Sequence, residues 1–200
     1  MKLLKNIALA LTIFGLTMST GCAATKVKRL DDGQEVALSD RWNAKDSELV
    51  AKEMMEDMVG FPWVREWNMI NDDRPSIIVQ RISNLSHEHI AIDTFINELK
   101  RSIIRSGKAD FVVSGQERQA VRAERREQEI NSKNPKAQGQ EYAADFALSG
   151  SINSIVDKVG KKRVTFYQVD LKLIDMETNR EVWNGQKKIQ KYQKKGTFSW

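Results

Sequence analysis

Cysteine is nearly absent from this 200-residue chain, which has only Cys22. A single thiol excludes an internal disulfide and a multi-cysteine metal site, so any folded domain must hold by packing alone. Histidine is almost as scarce. His87 and His89 are the only two, which leaves few members for a nucleophile–base pair. No G-x-S-x-G, P-loop, G-x-G-x-x-G or H-E-x-x-H pattern occurs. Proline occurs three times and forms no Pro-rich spacer. Long apolar runs are missing too. Ile7 to Met18, the longest, falls short of the roughly 20 residues that cross a hydrocarbon core of about 30 Å. These absences point to no catalytic residue, no cofactor and no metal.

The apolar stretch has a different use. Lys2 and Lys5 precede it, and Ser19-Thr20-Gly21-Cys22 closes it with small residues. This resembles a lipobox, with residues 1–21 as a cleavable signal and Cys22 as the lipid attachment point. It departs from the usual pattern at Ser19, where Leu is commonest. An ordinary secretory signal, cleaved near Cys22-Ala23-Ala24, is the other reading. In Gram-negative lipoproteins an Asp after the cysteine tends to hold the protein at the inner membrane, so Ala23 implies the periplasmic face of the outer membrane. Removing Lys2 and Lys5 takes 32 basic against 27 acidic side chains to 30 against 27, a net of +3. Such a mixed, weakly basic surface does not indicate nucleic acid as a partner.

Residues 22–45 are polar and without sustained period, and read as the lipidated cysteine and a short tether. Residues 46–200 then form one domain. Asp46 or Ser47 is expected to cap a helix to about Val59, with Val50, Ala51, Met54, Met55 and Met58 on one face. Gly60 and Pro62 are expected to end it, leaving Phe61, Trp63 and Trp67 in a loop. Ser76 to Ile82 is a β-branched strand, and Asn84 to His89 a polar loop. Asp93 is expected to cap a second helix with a stripe of Ile92, Phe95, Ile96, Leu99, Ile103 and Ile104, closed by Gly107. Asp110 to Val113 gives a second strand, parallel to the first through a right-handed crossover.

Residues 115–130 read as a charged helix with a narrow apolar face at Ala120, Val121 and Ala123, and a short helical turn is expected near Tyr142. From Phe146 the period changes to two. Thr165, Tyr167, Val169, Leu171 and Leu173 face one way, and Phe166, Gln168, Asp170 and Lys172 the other. Glu181 to Ile189 returns with Trp183 and Ile189 inward. The fold class is α+β: a mixed sheet of about five strands, ending in an antiparallel meander and packed by helices.

Two places stand out as binding candidates. Arg118, Arg122, Arg125 and Arg126 fall along one helical face and suit carboxylates on a partner. The bland reading is a solvated face neutralised by Glu117, Glu124, Glu127 and Glu129. On the outer face of the meander, Phe166 beside Gln168 is an aromatic among polar residues, either a contact site or covered by a helix. His87-Glu88-His89 lacks a third ligand at metal spacing and reads as a polar loop.

From Trp42 to Lys191 the chain resembles the LpoB-like activators of penicillin-binding proteins. The resemblance is carried by Asp46 and its helix, Pro62-Trp63, Arg74-Pro75, Asn84, Glu88-His89-Ile90, Ser106-Gly107-Lys108, Ala144-Asp145-Phe146 through Gly150, Tyr167-Gln168-Val169-Asp170-Leu171 and Glu181-Val182-Trp183. It implies an outer-membrane lipoprotein with a domain similar to the N-terminal domain of TolB, which binds and stimulates a class A penicillin-binding protein without catalysis of its own. The chain departs from the best-known members in its short tether. That leaves a scaffolding lipoprotein of a trans-envelope or secretion complex as the second reading, and an envelope hydrolase, for which no carboxylate pair stands out, as a third.

Overall fold

In the computed structural model of the chain, which describes residues 39–194, the first helix starts on Asn43. The Asn43 side chain accepts from the Asp46 N–H at 3.0 Å, and the Asp46 carboxylate accepts from the Asn43 N–H at 2.8 Å. Asp46 therefore caps from inside the first turn, and α1 (Ala44–Gly60) begins earlier than a cap at Asp46 or Ser47 would allow. Val50, Ala51, Met54, Met55 and Met58 are all buried, as their spacing predicts. Asn43→Ala should lower stability by about 1 kcal/mol, read as a downward shift of the thermal midpoint; an unchanged midpoint would count against the cap.

Pro62 does not keep the aromatics in a loop. It sits in the first turn of α2 (Pro62–Ile70), where its missing N–H has no partner to lose and its fixed φ suits the helix. The helix presses Trp63 and Trp67 onto Phe146 at ring distances of 4.7 and 5.4 Å, and the Trp63 indole donates to the carbonyl of Met58.

β1 (Ser76–Leu85), α3 (Ile92–Ser106) and β2 (Asp110–Phe111) form the expected parallel unit, with Ser76 opposite Asp110. Ala91, not Asp93, occupies the cap of α3 and makes no side-chain bond there; Asp93 lies in the first turn, where its charge suits the helix dipole. Phe95, Leu99 and Ile103 are buried, Ile104 at the edge of the stripe is 59% exposed, and Gly107 at φ 65° ends the helix. After α4 (Gly115–Asn131), residues 132–144 run as an irregular strap, with no helical turn at Tyr142.

β3 (Phe146–Val159), β4 (Lys162–Asp175) and β5 (Glu181–Lys194) complete a five-stranded sheet in the order β2-β1-β3-β4-β5, parallel at β2-β1-β3 and antiparallel beyond. The inner face carries Thr165, Tyr167, Val169, Leu171 and Leu173, none more than 2% exposed, and Trp183 pairs with Leu173. Gly150 and Gly185 flank Leu171 in register. A methyl at Gly150 would sit 2.1 Å from the Asp170 carbonyl oxygen, and one at Gly185 would meet the Trp183 ring at 2.3 Å, so both places need glycine for close approach. α1 and α3 pack on each other and cover the inner face, so a single core joins helices and sheet. The fold is α+β.

Candidate functional site

Strand register sorts the outer face of the sheet into two halves. Ile155 pairs with Phe166, which pairs with Gln190, and Val164 pairs with Tyr192. With Leu85 on β1 and Val159 at the hairpin end, the apolar residues of these rows share one part of the face, with Asp157 and Gln190 among them. Leu85 is 63% exposed, Ile155 68%, Val159 74% and Tyr192 60%, while Phe166 is half-buried among them. Toward the other end the face turns polar. Gln168 donates to Asp170 at 2.9 Å, Gln186 donates to the same carboxylate at 2.9 Å, and a shallow cavity of about 540 Å³ opens beside Arg81, Ser149, Ser151 and Lys172. An exposed apolar cluster bordered by hydrogen-bonding groups has the composition of a protein-docking surface. Phe166 lies in the apolar part and Gln168 on its polar border.

The arginines of α4 are not a free stripe. Arg122 grips Glu141 with two nitrogens, Nε at 3.0 Å and NH2 at 2.9 Å, and Arg125 reaches the same carboxylate at 2.7 Å. Arg118 Nε donates to the carbonyl of Val113 at 3.1 Å. The carboxylates within the helix are spent elsewhere: Glu117 pairs with Lys100, Glu124 accepts from Gln128, Glu127 from Asn131 and Glu129 from Gln138. The neutralising group comes from the strap after the helix. Hydrogen bonding from Arg122, helped by Arg125 and opposed by partial burial, pulls the Glu141 carboxyl down to about 2. The expected apolar face is open as well, because α4 buries no residue.

A third group comes together in a way that sequence reading did not foresee. Residues 39–43, within the expected tether, dock on the inner face of β4. Asp40 is 5% exposed; its Oδ2 accepts from the Thr165 hydroxyl at 2.6 Å and lies 2.8 Å from Arg163 Nε, a close ion pair without an aligned hydrogen bond. The Trp42 N–H donates to Glu88 Oε1 at 2.8 Å, and the Tyr167 hydroxyl donates to the same oxygen at 2.6 Å. The Trp42 ring stands edge-on to Phe95 and Tyr167 at 6.2 and 5.5 Å. Lys191 closes the group on Asp46 and on the Arg41 carbonyl. Burial, then the neighbouring Glu88 carboxylate, raises the Tyr167 phenol above its ordinary pKa. Burial alone would raise Asp40, but the Thr165 hydroxyl and the Arg163 charge outweigh it and hold the carboxyl below its ordinary value.

His87-Glu88-His89 splits by role. Glu88 joins this network, while His87 Nδ1 lies 2.6 Å from Ser154 Oγ and its Nε2 3.0 Å from Arg163. A guanidinium only donates, so Nε2 is the acceptor and Nδ1 carries the proton toward Ser154. Among the described residues no group of three or more His, Cys, Asp or Glu side chains is placed to hold a metal ion. Cys22 and residues 1–21 lie outside the described residues.

The sequence matches the family model of the peptidoglycan-synthase activator LpoB over residues 46–189. In a search of curated proteins nothing matches. Among solved structures, the chain is similar to the NMR structure of E. coli LpoB at 12% identity, covering 90% of this chain and 86% of that one with a TM-score of 0.42. The LpoB C-terminal domain from Escherichia coli aligns at 13% identity, over 66% of this chain and 98% of that one, with a TM-score of 0.37. Lipoprotein GNA1162 from Neisseria meningitidis aligns at 18% identity, over 59% and 83%, with a TM-score of 0.36.

Proposed function

This chain belongs to the family of the peptidoglycan-synthase activator LpoB, and from that membership we propose that it is a non-catalytic, lipid-anchored regulator which binds and stimulates a class A, bifunctional penicillin-binding protein. Cys22 is its proposed anchor, at the periplasmic face of the outer membrane. The observation that favours a docking role is the open outer face of the sheet, apolar around Phe166 and polar from Gln168 onward. Arg118, Arg122 and Arg125 are proposed as a second, outlying contact. Two of them already hold Glu141, so a partner's carboxylate must displace it, and the sheet face therefore contributes more.

Stimulation of this kind is a coupling between binding and conformation. The activator raises the rate only by binding the active form of the synthase more tightly than the inactive form. A tenfold stimulation through this equilibrium needs about 1.4 kcal/mol of differential binding, which a few well-packed apolar side chains supply. The test mixes the full chain with the cognate synthase and its lipid-linked substrate, and follows the initial rate of glycan polymerisation. A several-fold rise that vanishes when the chain is unfolded is the expected result. An unchanged rate together with no binding would end this reading.

A further inference from the structure

The arginines proposed above as an outlying contact also line a second feature, away from the sheet face. Between α4 and the strap at 138–144 lies a cavity of about 580 Å³ whose charge is one-sided. Arg118, Arg122, Arg125 and Arg126 line it, and Glu141 is the one carboxylate among its described lining residues. Among the described residues the Arg126 side chain has no hydrogen-bond or ion-pair partner, and the Arg118 side chain donates only to the Val113 carbonyl. Ile78, Met176 and Tyr142 supply apolar walls. None of the 17 residues of α4 is buried, so core packing does not explain why this helix holds its place. Polar contacts hold it instead, three of them from arginines of the cavity and one between Glu117 and Lys100.

We propose that this cavity binds a multivalent phosphate-type oxyanion, pyrophosphate being the simplest, and that Glu141 is a built-in stand-in which the ligand displaces. The Arg122 fork already grips two oxygens of one acceptor, and the same planar fork fits phosphate as well as carboxylate. Charge selects between them. A single carboxylate against four guanidinium groups leaves a net of three positive charges, whereas each phosphate group brings up to about two negative charges at neutral pH. Displacement sets an unusual sign: removing the charge of Glu141 strengthens binding of an external anion, because the competitor is gone.

Calorimetric titration of the full chain with inorganic pyrophosphate at fixed ionic strength tests this. Saturable binding is expected, tightened about tenfold in Glu141→Gln and weakened at least about tenfold in Arg126→Ala, with Arg126→Lys in between. Folding is not at stake in the Arg126 variants, since Arg126 is exposed and bonded to nothing described. A second arm offers vesicles of phosphatidylcholine and phosphatidylglycerol in equal parts. Vesicle capture that Arg126→Ala abolishes and pyrophosphate competes away assigns the site to a lipid headgroup; pyrophosphate binding without such capture assigns it to a free anion. Absence of both, an Arg126→Ala variant that binds like the wild type, or a Glu141→Gln variant that binds no tighter overturns the proposal.

Discussion

Asp40→Ala is expected to cost about 3 kcal/mol of stability and to lower the thermal midpoint by about 6–12 °C, a large effect for a residue in a polar segment ahead of the first helix. The carboxylate is almost wholly enclosed, and removing it leaves the Thr165 hydroxyl without its acceptor and Arg163 without its counter-charge. Arg163 is 30% exposed and can turn toward water, which places the cost at the low end of the range for a broken buried pair. Asp40→Asn keeps an acceptor for Thr165 and loses only the charge, so a smaller loss is expected. The two variants also differ from the wild type in acid. Because the folded-state pKa of Asp40 is depressed, its contribution is present above the ordinary carboxylate range and is lost as pH falls through the folded value. The gap in midpoint between wild type and Asp40→Asn should therefore be widest at neutral pH and close below about pH 4. Thermal melts across that range check it. A wild-type midpoint for Asp40→Ala at pH 7 would show that the docked segment adds nothing.

Asp40 also marks where sequence reading ends. The period-two pattern of β4 and the methionine ladder of α1 were legible because both record which side of an element is apolar, and the apolar residues are the ones the core takes. Asp40 is buried, and Glu88 partly buried, for another reason. Each meets partners far along the chain, Asp40 with Thr165 and Glu88 with Tyr167, and a polar residue made dry by a distant partner leaves no periodic trace. Glu141 was hidden in the same way, since an irregular strap separates it from the arginines it neutralises. Local rules misled where two neighbouring signals competed. Asp46 caps from within the first turn, because Asn43 stands three residues ahead of it. Pro62 begins a helix, because a proline near a helix end serves equally well as a start. The outer face was half legible. Alternation put Phe166 and Gln168 there, but their neighbours Ile155, Leu85 and Tyr192 come from strands whose register the sequence does not state.

That register is why Phe166→Asp is expected to have the largest effect on function. Phe166 sits between Ile155 and Gln190, so a carboxylate there charges the middle of the apolar cluster rather than its border. Binding to the synthase should weaken by at least about 30-fold, the effect of losing a central interface aromatic worth 2 kcal/mol or more, and stimulation should be lost at concentrations that saturate the wild type. The fold has little at stake. Phe166 is half-buried on the face opposite Thr165 and Tyr167, so the core and the docked segment on the inner side keep their contacts. Gln168→Ala supplies the contrast. Its side chain is turned to Asp170 along the face, as expected of a rim residue, and its removal should change binding less than about threefold. Affinity and polymerisation rate measured together separate the two roles: a variant that binds normally but does not stimulate would place Phe166 in the coupling step rather than in recognition. Wild-type binding and wild-type stimulation by Phe166→Asp would remove the sheet face from the interface and leave the arginines of α4 as the surface to test.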